Sequence, residues 1–279
     1  MRAMKLAVSI LSVLAVTIGF VAASGEAQAA CDLKAAYPQF AGKTLKIGTT
    51  GDSPPYNYRD PNNLDKITGM NADYMRAIGA CLGMPVSFAI SDFSGLMPGV
   101  QGGHIDLGVS TVQYRPERAL QVNFIVYMKG ASGAVVRKDN PIKVTSFADF
   151  CGLKAAATVG SAQRAQLDDI NNTICAKNPM EITTTPGGLG GPMLVHNKRA
   201  DFFFGVSSVQ SYDLTMFRLA YTHTSDLMIG LVMSKQTVEL SKAVTAAMKA
   251  LQADGTEAKL YKEYLLDPVI SLPAEFLDH

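Results

Sequence analysis

Residues 104–118 read HIDLGVSTVQYRPER, an apolar run that stops abruptly at hydroxyl and amide side chains. Ile105, Leu107 and Val109 alternate with other residues, the period of a buried strand, and Ser110, Thr111 and Gln113 follow. Pro116 fits the first turn of a helix, and Glu117 suits the positive end of its dipole. The spacing predicts a strand-to-helix loop over 110–115, at the strand edge where open α/β sheets bind ligands. Three neutral hydrogen-bonding side chains beside Arg118, a fork-shaped permanent cation, suit a carboxylate better than a metal or a nucleobase. The same residue types also serve ordinary helix starts and surfaces, so spacing alone leaves a binding role and a structural role side by side.

A second passage, Arg199-Ala-Asp-Phe-Phe-Phe-Gly-Val-Ser207, ends on the Gly-Val-Ser that also occupies 108–110. Two similar strand ends predict two similar lobes, each an open α/β sheet, with Ser110 and Ser207 facing a cleft between them.

The neighbouring segments fit that frame. Thr44–Thr49 alternates as a first strand, and Gly51–Tyr58 reads as a loop because adjacent Pro54 and Pro55 exclude a ladder. That loop puts Asp52, Ser53 and Tyr56 at a strand's carboxyl end as candidates to face a ligand, although aspartate, serine and proline are also ordinary turn residues. Asn71–Leu82 carries Met75, Ile78 and Leu82 at helical spacing and ends at Gly83, and Val86–Ile90 reads as a strand. Phe93, in the turn before a short helix at 96–101, is either a lid over the cleft or a core anchor; spacing favours the core. Residues 124–128 form a strand, and the apolar run 131–137 leads out of the first lobe.

The second lobe reads as a helix near Phe147, a strand at 154–159, a helix at 161–170 and a strand at 181–184. The glycine-rich Pro186–Pro192 lacks the Gly-Lys-Ser/Thr ending of a phosphate loop and reads as a tight turn or mobile cleft loop. A strand at 227–233 returns the chain to the first lobe. There a helix at 237–253, with Val244, Met248 and Leu251 on one stripe, packs against it, and a short helix near Tyr264 follows. The expected organisation is a signal peptide at 1–29, a first lobe of 30–132 plus 228–279, and a second lobe of 133–227. Two crossovers make a double hinge able to close on a ligand.

Arg2 and Lys5, the apolar run 6–23 and Ala27-Gln28-Ala29 have the order of a secretory signal peptide, which predicts export to the periplasm. Ser9, Ser12, Thr17 and Gly19 interrupt the run, which argues against a membrane anchor. Gln28 stands where a lipobox carries an apolar residue, which argues against a lipid on Cys31. With 25 Lys and Arg against 24 Asp and Glu, and no basic run interleaved with aromatics, nucleic acid is not an expected partner. Cys31, Cys81, Cys151 and Cys175 contain no Cys-x-x-Cys and fit an oxidising compartment, so two structural disulfides are expected. Three pairings are open. Cys151 with Cys175, inside one lobe, comes first and leaves Cys31 with Cys81. The four histidines share no ligand spacing, so neither a metal nor a cofactor is expected, and a monomer is.

The chain resembles the periplasmic solute-binding proteins of polar amino-acid ABC transporters, the family-3 bacterial extracellular solute-binding proteins. The resemblance rests on Ile47-Gly-Thr with Pro55-Tyr56, on Gly69-Met-Asn-Ala-Asp73, on Ile105-Asp106 through Pro116-Glu117-Arg118, on Val159-Gly160-Ser161 and on Arg199-Ala-Asp201. It implies a two-lobed periplasmic-binding-protein fold, a small carboxylate-bearing ligand such as a polar amino acid or derivative, and delivery to ABC-transporter membrane subunits. It further implies that Arg118 clamps the ligand carboxylate with Ser110, Thr111, Gln113 and Ser161, and that Tyr56 and Phe93 lie near the ligand side chain. Three positions depart from the family pattern: Asn71 replaces an aspartate, Ala162 a threonine, and Val206 the aspartate that receives an α-ammonium. A buried ammonium facing Val206 lacks an anion, which leaves Ser207 or Ser208 as neutral partners or a ligand that tolerates loss of that charge. Thr49-Thr-Gly-Asp52 is similar to the first loop of exported cyclohexadienyl or arogenate dehydratases on this fold. No other part of the chain supplies an obvious acid and base pair for that chemistry, so a non-enzyme is expected. A ligand-sensing module for a membrane receptor would use the same cleft.

Overall fold

Two long strands carry the chain out of its first lobe and back again, and the rest of the structure is arranged on either side of them. The computed structural model describes residues 31–206, 215–267 and 270–277; the expected signal peptide, Ser207 and Ser208 lie outside the described residues. The first lobe opens with β1 (Leu45–Thr49), a meander of β2 (Asp52–Ser53), β3 (Asn57–Asp60) and β4 (Asn63–Thr68), α1 (Met70–Leu82) and β5 (Val86–Ile90). It continues through α2 (Leu96–Gln101), β6 (Leu107–Gln113) and the single turn α3 (Pro116–Ala119) into the long strand β7 (Asn123–Arg137). The second lobe contains β8 (Lys154–Thr158), α4 (Ala162–Asn172), β9 (Glu181–Thr185), α5 (Gly190–His196) and β10 (Phe202–Val206). The long strand β11 (Phe217–Met233) returns to α6 (Val238–Ala253), α7 (Thr256–Glu263) and β12 (Ser271–Leu277).

The main sheet runs β5-β1-β6-β11-β7-β10-β8-β9, with β12 also on β7. β1 is parallel to β5 and β6, β8 is parallel to β9 and β10, and β7 pairs antiparallel with β11 from Phe217↔Arg137 to Met233↔Asn123. That pairing makes one hydrogen-bonded sheet pass through both lobes, while each lobe keeps its own core. Leu45, Ile47, Met75, Ile78, Tyr127 and Met248 are buried together in the first; Val136, Phe150, Leu167, Phe202 and Phe204 are buried in the second, where the Phe150 and Phe202 rings stack at 4.5 Å. Each such side chain contributes roughly 1.5–3 kcal/mol by leaving water. In each lobe the strand order reverses beside the first parallel strand, between β1 and β6 and between β8 and β10, and loops leaving those two points border one crevice.

Both disulfides are formed, Cys31–Cys81 and Cys151–Cys175. The Cys31 sulfur is therefore occupied and is not available for a lipid thioether. The Cys151–Cys175 bridge spans 24 residues, so replacing both by serine is expected to lower stability by about 3 kcal/mol. An unchanged urea midpoint would refute this.

Several expected boundaries shift, each for a physical reason. Ser110, Thr111 and Gln113 belong to β6 rather than to a loop, because the returning β11 supplies antiparallel partners, Ile229↔Gln113 and Gly230↔Val112. The register slips between Gly230 and Val232, and Thr111 absorbs the irregularity at φ 49°. The loop expected over 51–58 is a hairpin: Pro54 and Pro55 sit in its turn, and Asp52 pairs with Tyr58. The two apolar runs 124–128 and 131–137 are one strand, and 227–233 is only the end of one, because each long strand is paired by the other along its length. The Pro186–Pro192 segment is not a simple turn. Gly190 starts a helix that accommodates Pro192 in its first turn, where the missing N–H costs nothing. The helix expected near Tyr264 ends at Glu263, with Tyr264 as its cap, and β12 had no forecast because it borrows its partner from β7.

Candidate ligand-binding cleft

Arg118 closes the single turn that Pro116 starts, which aims its guanidinium back under β6 and across the crevice. It is 6% exposed. Its Nη1 donates to the Gln113 carbonyl at 2.8 Å, and its Nη2 donates to the Gly160 carbonyl of the second lobe at 2.7 Å. Among the described residues it has no ion-pair partner, whereas its neighbour Arg115 pairs with Glu117. Burial, then Arg115, push its pKa down to about 10, with Glu117 opposing. It therefore stays charged at neutral pH, a desolvated cation inside a cleft open to solvent.

Around this cation the structure gathers the residues that spacing and resemblance had nominated. Ser110 is buried, with its Oγ 2.8 Å from Thr50 Oγ1 and accepting from Asn57 Nδ2 at 3.3 Å. Gln113 is 3% exposed, and among the described residues neither its Oε1 nor its Nε2 has a partner. Thr111 lines the cleft, but its hydroxyl donates to the Ser110 carbonyl at 2.8 Å. From the second lobe, Ser161 caps α4 by accepting from the Arg164 N–H at 3.0 Å, so its own proton and the first amides of that helix face the same space. Phe93 is at the cleft as well as against a core: its ring lies 5.9 Å from Arg118 Cζ, and its other side packs on the cluster of Leu96 and Val100. Tyr56 is 5% exposed and lines the floor.

The second lobe's wall is apolar where an ammonium receptor would stand. Val206 ends β10 in the cleft beside Phe203, Phe204 and Gly205. Asp52 is the one carboxylate among the cleft-lining residues, and among the described residues it takes part in no ion pair. Its Oδ1 accepts from the Ser53 hydroxyl at 3.3 Å. Thr50, Thr158, Gln163 and Leu189 line the cleft without having been nominated. Thr50 follows β1 directly and Thr158 ends β8, so both carried a strand-end signal, and Gln163 lies in the first turn after Ser161; Leu189 is placed by the fold of the glycine-rich segment before α5.

Gly187 and Gly188 are where the second lobe touches the β2–β3 hairpin. A Cβ on Gly187 would overlap Asp52 Oδ2, and one on Gly188 would lie 2.7 Å from Ser53 Oγ. Gly187→Ala is therefore expected to displace the Asp52 carboxylate or hold the lobes apart, weakening solute binding several-fold with the melting temperature unchanged. Calorimetry that finds equal affinity would refute this contact.

Two lobes on a shared hinge pair, with a buried cation between their strand ends, define a cleft-type solute receptor. The sequence model of the bacterial extracellular solute-binding proteins, family 3, matches residues 45–267, and the chain belongs to that family. It is 27% identical over 235 residues to the "Probable amino-acid-binding protein YxeM" of Bacillus subtilis, covering 81% of this chain and 85% of that one. Among solved structures, an ancestral arginine-binding protein bound to arginine superposes with a TM-score of 0.72 at 24% identity, covering 79% of this chain and 97% of the other. The ancestral amino acid-binding protein AncCDT-1, a precursor of cyclohexadienyl dehydratase, has a TM-score of 0.68 at 28% identity, over 79% and 94% of the two chains. Membership in this family makes the chain a binding protein rather than an enzyme.

Proposed function

We propose that the protein captures a small carboxylate-bearing solute, a polar amino acid or derivative, in the periplasm and delivers it to the membrane subunits of an ABC transporter. The observation that carries this reading is Arg118, a buried cation in a solvent-open cleft without an ion-pair partner among the described residues. A carboxylate offers it the bidentate partner that the backbone carbonyls of Gln113 and Gly160 do not. Ser110, Thr111, Gln113 and Ser161 complete the carboxylate pocket, while Tyr56 and Phe93 flank the rest of the solute. Asp52 receives any positive charge, since Val206 does not. The binding unit divides into a lobe of 30–132 plus 228–279 and a lobe of 133–227, each with its own buried core.

A thermal-shift screen of the standard amino acids, their N-blocked forms and small carboxylates tests this. A true solute at a hundred times its Kd adds about 2.7 kcal/mol to the folded state. Stabilisation by carboxylates, including N-blocked ones, is expected; stabilisation by none of them would overturn the reading. Co-purification with a permease rather than a receptor kinase separates the transporter from the sensor.

A further inference from the structure

Asn71, one of the departures from the family signature, sits fully buried beneath the cleft in the first turn of α1. The Tyr127 hydroxyl donates to Asn71 Oδ1 at 2.6 Å, Asn71 Nδ2 donates to Asn57 Oδ1 at 3.1 Å, and Asn57 Nδ2 donates to Ser110 Oγ at 3.3 Å. Tyr127, Asn71 and Asn57 all have zero exposure, and the chain ends on the Ser110–Thr50 hydroxyl pair in the cleft. We propose that Tyr127, Asn71 and Asn57 are positioning residues that form a one-way hydrogen-bond chain. It delivers a hydroxyl proton of the Ser110–Thr50 pair into the cleft and reserves that side of the site for an acceptor. The proposal rests on the carboxylate reading above, because a carboxylate is such an acceptor and an ammonium is not.

The polarity follows from counting protons. A phenol has one proton to give, and among the described residues the Tyr127 hydroxyl gives it to Asn71 Oδ1. That bond fixes which way the Asn71 amide faces, so its NH₂ is turned to Asn57, which must then present its own oxygen there and its NH₂ to Ser110. The Ser110–Thr50 pair holds two protons and spends one on the mutual bond at 2.8 Å. Because Asn57 supplies the bond between itself and Ser110, a second proton remains: on Ser110 it is left for the cleft, and on Thr50 it is shared between the cleft and the longer 3.4 Å contact with Ser53 Oγ, itself a cleft-lining hydroxyl that gives its own proton to Asp52. With Asn57 reversed, Ser110 would donate to Asn57 and Thr50 to Ser110, and no proton would be left. An aspartate at 71, the family residue, would force that reversal. A carboxylate accepts only, so Asn57 would have to turn its NH₂ towards it. Neutral Asn71 thus keeps the chain both uncharged in the core and correctly directed, which is worth keeping where an unmet buried polar group is costly.

Joint X-ray and neutron crystallography of the deuterium-exchanged protein and of Asn71→Asp reads the polarity directly, without any solute. The expected map has the Asn57 Nδ2 deuterons on Ser110 and one hydroxyl deuteron of the pair pointing into the cleft, with both reversed in Asn71→Asp. A wild-type map with the Ser110 deuteron on Asn57 Oδ1 would overturn the proposal. The consequence is read by titrating acetate while following the Arg118 side-chain resonance. Asn71→Asp and the volume-conserving Tyr127→Phe are expected to weaken acetate binding about tenfold, with a cooperative melt retained. Equal acetate affinity in wild type and both variants would also overturn it. A wild-type protein indifferent to acetate and to the carboxylates of the screen, but with the expected deuterons, would instead overturn the carboxylate reading.

Discussion

Arg118→Ala is expected to abolish carboxylate binding while leaving the protein folded. Truncating one partner of a buried, hydrogen-bonded charge pair costs about 2–5 kcal/mol, or roughly 30- to 4,000-fold in affinity. Folding has little to lose, because the free guanidinium is desolvated without an ion-pair partner among the described residues and gives only two bonds, to the carbonyls of Gln113 and Gly160. The same environment lowers its pKa to about 10 from the ordinary arginine value. For a base this sign means that the charged form is disfavoured in the folded state. The penalty is fully present below pH 10 and is relieved only as the pH rises through that value. A bound carboxylate offsets the penalty, which is why the effect of the substitution belongs to affinity rather than to stability. Calorimetry decides: a loss below about 1 kcal/mol for Arg118→Ala would remove Arg118 from the site.

Gly69→Ala is expected to be the most damaging single-methyl substitution near the cleft. Gly69 has φ 113°, outside the range L side chains adopt, and an added Cβ would lie 2.5 Å from the Tyr56 carbonyl oxygen and 2.8 Å from that of Pro55. These are backbone atoms and cannot swing aside. They also accept from the first amides of α1, Met70 N to Pro55 O at 2.9 Å and Asn71 N to Tyr56 O at 2.8 Å. Strain and the loss of those bonds together should cost about 2–4 kcal/mol, a fall in melting temperature of roughly 5–15 °C. Because the same backbone holds Tyr56 against the cleft and Asn71 beneath it, affinity should fall along with stability. A urea midpoint equal to that of the wild type would show that the hairpin and the helix start can separate freely.

Residues 104–118 and 199–206 carried enough periodicity in one dimension to announce two α/β lobes with polar strand ends, because strand alternation and helix starts are local properties of the chain. Arg118 and Ser161 were legible for the same reason, each sitting one or two residues from a helix start, while Ser110, in the middle of β6, was legible because the apolar alternation turns polar there. What sequence could not set was whatever depends on a partner far along the chain. β6 runs on through Gln113 because β11 pairs with it, and β7 and β11 are single long strands because each supplies the other's ladder. Asp52 was nominated by its place after β1, but its proximity to Gly187, over 130 residues away, comes only from the packing of the second lobe on the β2–β3 hairpin. Asn71 looked like a lost charge in a motif. Only the packing of α1 under β6 and β7 brings it between Tyr127 and Asn57, where a neutral amide can pass a hydrogen bond in one direction and a carboxylate cannot.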